Sequence, residues 1–135
     1  MKSLMELNVG DSLDEITLPP VSRMDLIKYS EASGDFNPIH TIDDEAYKAG
    51  LPGIIAHGMW TMGNLAKLLT PYCEEGFIQD YQIRFVGMVF LNDVITLKVK
   101  LIDNQPDALH FDVKALNQND LEVIKGKVKF LKYQP

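Results

Sequence analysis

The chain has 135 residues, 46% of them hydrophobic and 24% charged, which is the size and composition of one globular domain over residues 1–135. A formal net charge of −6 argues against a nucleic-acid partner, because phosphate binding draws on clustered Lys and Arg, and no basic patch interleaved with aromatics is read here. Cys73 is the single cysteine and no transmembrane run or signal peptide is read, so neither a disulfide nor a membrane is expected and the cytoplasm is the expected location.

Residues 14–18 suit a short first strand, ended by Pro19-Pro20. Ser22-Arg23-Met24-Asp25 reads as a capping box, in which the serine hydroxyl and the aspartate carboxylate each satisfy the other's backbone amide. A helix over 23–32 follows, stopped by Gly34. The stretch 34–41 cannot be an ordinary helix, because Pro38 removes a backbone donor and pushes Asn37 towards an extended conformation. A short helix over 43–49 is expected next, with Asp43 as its N-cap and Gly50 past its end.

The helix expected over 58–69 is apolar on nearly every side. Met59, Trp60, Met62, Leu65, Ala66, Leu68 and Leu69 leave only Thr61, Asn64 and Lys67 as a narrow polar stripe. Such a helix belongs inside a protein. Beyond Pro71 the period changes to two. Tyr81, Ile83 and Phe85, then Ile95, Leu97, Val99 and Leu101, then Leu109, Phe111, Val113 and Ala115, and finally Val128 and Phe130 alternate with mainly polar residues. Each run describes a strand with one buried face, and Asn117-Gln118-Asn119-Asp120 suits a hairpin loop. The expected fold is α+β, an antiparallel sheet curled around one long buried central helix. Its edge strands would need a partner, so a dimer is expected.

The densest polar cluster is Ser33-Gly34-Asp35-Phe36-Asn37-Pro38-Ile39-His40. On a helix Asp35 and His40 would point about 140° apart, whereas in a loop bent at Gly34 and stiffened at Pro38 both can turn towards one point. A carboxylate and an imidazole sharing a water can deprotonate it and return the proton elsewhere. The plainer alternative is that Asp35 only caps backbone donors in a turn.

The second cluster is Ile54-Ile55-Ala56-His57-Gly58-Met59. There the first amides of the buried helix lack internal partners, and Gly58 lets a ligand approach one of them. Gly58 could equally serve close packing, and His57 reads as a hydrogen-bonded, half-buried residue. Asp35, His40 and His57 match no strong metal-ligand spacing. Cys73 reads as structural, and no phosphate loop or nucleophile elbow is present.

The run Tyr29-Ser30-Glu31-Ala32-Ser33-Gly34-Asp35-Phe36-Asn37-Pro38-Ile39-His40 resembles the hydratase motif of the MaoC-like family. That family includes (R)-specific enoyl-CoA hydratases and (3R)-hydroxyacyl-ACP dehydratases. Ala56-His57-Gly58-Met59-Trp60-Thr61-Met62-Gly63 resembles its second motif, and Val9-Gly10-Asp11 and Tyr81-Gln82-Ile83-Arg84-Phe85 also look familial. The resemblance implies a hotdog fold working as a homodimer, or as a heterodimer with a related hotdog subunit, on an acyl-CoA or acyl-ACP thioester without cofactor or metal. It implies Asp35 and His40 as the catalytic pair, Asn37 as their support and the Gly58 amide as the donor to the thioester oxygen; Ser33, His57 and Met59 are further candidates for binding substrate. Two other readings are a non-catalytic acyl-thioester-binding subunit and an acyl thioesterase. The first would lack the dyad; the second would need a carboxylate on the central helix, where 58–69 has none.

Overall fold

A computed structural model describes residues 2–134. Five strands form one antiparallel sheet: β1 (Ile16–Thr17), β2 (Gly76–Phe85), β3 (Thr96–Asn104), β4 (Ala108–Leu116) and β5 (Glu122–Lys132), in the order β1-β3-β4-β5-β2. Three α-helices precede the long strands: α1 (Arg23–Ser33), α2 (Asp43–Lys48) and α3 (Gly58–Leu65). The inner face of the sheet carries Leu97, Val99, Leu101, Leu109, Phe111, Val113, Ile124, Val128 and Phe130, all buried. Burying each of the larger ones stabilises the fold by about 1.5–3 kcal/mol. Helix α3 packs on β3 and β4, and the arrangement is a hotdog fold.

The capping box forms as expected: the Asp25 amide donates to Ser22 Oγ and the Ser22 amide to Asp25 Oδ2, each at 3.1 Å. Gly34 ends α1 with φ +76°, a left-handed conformation that suits glycine. Three expectations shift. Ile42, not Asp43, is the N-cap of α2; the Asp43 carboxylate instead takes the Arg23 guanidinium at 3.0 Å, tying α2 to α1. The α-helical part of the central helix stops at Leu65 and continues as 3-10 turns over Ala66–Leu68 and Thr70–Tyr72, the second containing Pro71, which has no N–H to extend an α ladder. Thr61, expected on the polar stripe, is buried, and Met59 is 57% exposed. The chain encloses α3 on the side of Thr61 and Leu65 and leaves the side of Met59 open.

Strand β2 extends further back than the alternating pattern suggested, because a register shift between Ile78 and Asp80 breaks the period. It lies close on β5: a Cβ at Gly126 would run into the backbone oxygen of Gln82. Tyr81 fixes β2 to the helix, its hydroxyl donating to Met62 O at 2.6 Å, and burial pushes its phenol up from the usual range. No helix among the described residues is long and apolar enough to cross a membrane.

Candidate active site

The loop after α1 is built by side chains bonding to their own backbone. The Asp35 amide donates to Ser33 Oγ, the Asn37 amide to Asp35 Oδ1 and the Ile39 amide to Asn37 Oδ1, each at 3.2 Å. Asn37 thereby caps the 3-10 turn Pro38–His40. These bonds fold 34–40 into a compact bend, with Asp35 half exposed and His40 buried at its two ends.

His40 is anchored from the far side. Its Nδ1 lies 2.8 Å from Ile55 O, and because a carbonyl only accepts, Nδ1 carries the hydrogen. In the neutral ring this leaves the Nε2 lone pair free, and Nε2 faces Asp35 Oδ2 at 3.8 Å. Ile55 is itself held: its amide donates to Ile39 O at 3.2 Å, and it bridges Phe90, while the Ala56 amide donates to Val89 O at 2.8 Å.

His57 is more enclosed than its sequence context suggested, at 3% exposed. Its Nε2 lies 3.2 Å from both Asp35 O and Ser30 Oγ. Its ring stacks on that of His40 at 3.7 Å, and Tyr29 meets it edge-on at 4.8 Å. Burial lowers its pKa from the ordinary 6.5, and neighbouring His40 lowers it further against the opposing pull of Asp35. Among the described residues His57 Nδ1 is a buried nitrogen without a partner.

The ligand atoms of Asp35, His40 and His57 lie within 4.8 Å of one another, compact enough to consider a cation. However, the nitrogens facing Ile55 O and Asp35 O carry protons and cannot ligate. That would leave His40 Nε2, His57 Nδ1 and the Asp35 carboxylate as donors.

Gly58 opens α3 directly after His57, and no acceptor for its amide is found among the described residues. A Cβ at Gly58 would come within 2.9 Å of the Phe85 ring, so this helix tip faces the end of β2. Of the residues expected at the site, Asp35, Asn37, His40 and His57 are brought together, and Gly58 follows His57 in the chain. Ser33 is exposed, with its hydroxyl taken up by the bend, and Met59 stands exposed beside Gly58. Ser30, Tyr29 and Phe85 belong to the constellation although sequence reasoning gave them no role. Their place within the two familial segments, Tyr29–His40 and Tyr81–Phe85, is the signal that marks them.

The bend, the anchored imidazole and the helix tip define a hotdog domain with a paired carboxylate and histidine beside its central helix. The chain belongs to the MaoC-like domain family, whose model matches residues 6–122. It is 29% identical over 126 residues to the mitochondrial 3-hydroxyacyl-[acyl-carrier-protein] dehydratase of Arabidopsis thaliana, covering 90% of this chain and 75% of that protein. It is 34% identical over 105 residues to the fatty acid synthase beta subunit TOXC of Cochliobolus carbonum, covering 75% of this chain and only 5% of that one. Among solved structures it resembles the unliganded R-hydratase PhaJ1 from Pseudomonas aeruginosa, with a TM-score of 0.85 at 24% identity over 97% of this chain and 85% of that one; this likeness is one of fold.

Proposed function

We propose that the chain catalyses reversible addition of water to a trans-2-enoyl thioester, giving the (3R)-3-hydroxyacyl thioester. The observation that carries this reading is the 3.8 Å between Asp35 Oδ2 and His40 Nε2. The gap is too long for a direct hydrogen bond and short enough for one water to touch both. One member of the pair takes a proton from that water as its oxygen bonds to C3. The C2–C3 π electrons move towards the thioester carbonyl, and the pair returns a proton to C2 on the same face. The Gly58 amide, at the positive end of α3, donates to the oxygen as it becomes enolate-like. Asn37 supports the carboxylate by holding Oδ1 through its backbone amide, which leaves Oδ2 for the water. The scheme uses no flavin, nicotinamide or metal. CoA and acyl carrier protein thioesters share the same phosphopantetheine arm, so both remain within the proposed substrate class.

The working unit in this reading is a dimer, formed with a second copy or with a related hotdog subunit. Strand β2 is ten residues long and among the described residues pairs with β5 alone, and Phe77, Phe85, Val86 and Met88 are exposed along or just beyond it. A long unpaired edge with apolar neighbours calls for a covering chain.

The test is Asp35→Asn assayed with crotonyl-CoA by loss of enoyl absorbance. A rate loss of about 10²–10⁴-fold is expected for removal of a positioned acid or base, with an unchanged circular dichroism spectrum. Turnover at the parent rate overturns the assignment.

A further inference from the structure

On the sheet face turned away from α3, strand register brings four cations into one line. Lys98 of β3 stands opposite Lys114 of β4, Lys114 opposite Lys125 of β5, and Lys125 opposite Arg84 of β2. Their chain neighbours Leu97, Val99, Val113, Ala115 and Ile124 are buried on the other face, so alternation turns the row outward. It crosses an open groove of about 790 Å³.

Like charges directly opposite each other weaken a sheet, and a face that only needs solubility is served by mixed signs. Here the compensation is sparse. Lys98 meets Glu15 at 3.3 Å, and Lys127, in the next row, meets Asp112 at 3.6 Å. Among the described residues no carboxylate lies within ion-pair distance of Lys114, Lys125 or Arg84. Six cations and three carboxylates line the groove, a surplus of positive charge in a chain of net charge −6. The sequence conceals this patch, because its members come from four strands.

We infer that this row is a docking surface for the acidic face of a helix on a protein partner. Adjacent strands lie about 4.8 Å apart, so the four cations span about 14 Å in even steps. Carboxylates three and four apart on a helix are about 5–6 Å from one another and keep step with such a row through flexible lysine stems. Same-face side chains of an extended strand are about 6.8 Å apart and fall out of step. No aromatic side chain lines the groove, so there is no platform on which bases of a single strand could stack. The negative charge of the rest of the molecule repels an acidic partner everywhere else, which fixes the orientation of approach. The row lies across the sheet from Asp35 and His40, so this docking role stands independently of the proposed chemistry.

The experiment is fluorescence anisotropy on the full chain at low ionic strength with three labelled probes. These are an alanine-based helical peptide with glutamates at three- and four-residue spacing, a proline-interrupted peptide of the same charge, and an oligothymidine of the same charge. The helical peptide is expected to bind saturably and more tightly than the other two. Lys114→Gln/Lys125→Gln should weaken that binding at least tenfold, while Lys28→Gln/Lys48→Gln on the helices leaves it within twofold. The melting temperature of the first double variant should hold or rise, since opposed cations have been removed, so lost binding is not lost fold. Absence of saturable binding, equal weakening by both double variants, or equal or tighter binding of either non-helical probe overturns the inference.

Discussion

The rings of His40 and His57 lie 3.7 Å apart and within 21° of parallel, and through His57 Nε2 the same ring also reaches the backbone oxygen of Asp35 at 3.2 Å. One buried side chain therefore touches both partners of the proposed dyad, supporting His40 by its face and the Asp35 turn by its edge. Two like imidazoles can stack this closely at little cost when at least one is uncharged, and burial keeps His57 in that form.

His57→Phe retains a ring for stacking and removes the donor to Asp35 O. The expected result is a stability loss of about 1–3 kcal/mol for the broken, largely buried hydrogen bond. A fall in kcat of about 10²-fold should accompany it as the carboxylate drifts from its water. Chemical denaturation and steady-state kinetics on the same preparation check both.

The pH dependence of stability follows from the same ring. The folded pKa of His57 lies below its ordinary 6.5, so below pH 6.5 the unfolded chain binds a proton that the folded chain refuses. Stability linked to His57 is complete above pH 6.5 and is lost as pH falls towards the lowered folded value. Thermal melts of the parent from pH 7.5 to pH 5 should show a decline that is shallower in His57→Phe.

Asp93 is a buried carboxylate outside the proposed reaction. Its Oδ2 accepts from the Phe90 amide at 2.8 Å and its Oδ1 from Gln118 Nε2 at 2.9 Å, while Gln118 Oε1 is occupied by the Val94 amide at 3.0 Å. Asp93→Asn sets a donor against the Gln118 amide group, which cannot turn without abandoning Val94. A cost of about 1–3 kcal/mol is expected, measured by denaturant titration. Because Phe90 bridges Ile55 and Ile55 O anchors His40, kcat should fall in the same variant.

Two glycines separate packing from ligand access. Gly126→Ala drives a methyl into the backbone of β2 at Gln82, and a loss of about 3 kcal/mol or more is expected, because backbone cannot yield as a side chain can. Gly58→Ala meets only the half-exposed Phe85 ring, which can swing away. That variant should melt within a few degrees of the parent yet lose activity, through the methyl beside the helix-tip amide.

Sedimentation velocity should give twice the single-chain mass at micromolar concentration. Phe85→Glu, at the open end of β2, should shift the distribution towards the monomer.

Local chemistry was legible in the sequence where it depended on neighbours along the chain. Ser22 with Asp25, Gly34 at a left-handed turn, and the bend through Asn37 and Pro38 all follow from residues within a few positions of one another. Alternation likewise located β3 and β4. Partnerships set by register or by tertiary packing were hidden. Ser30 meeting His57, Asp93 meeting Gln118, and Lys98, Lys114, Lys125 and Arg84 forming one line each join segments far apart in sequence. The start of β2 was obscured by its register shift, and the burial of Thr61 reflects which side of α3 the sheet encloses, a choice that composition alone does not express.

The two members of the proposed dyad are unequally shielded. Asp35 is half open while the His40 ring is closed off from solvent, so the carboxylate is the solvent-facing member of the pair. In the proposed reaction the water is thus held between a solvent-facing carboxylate and a sheltered base.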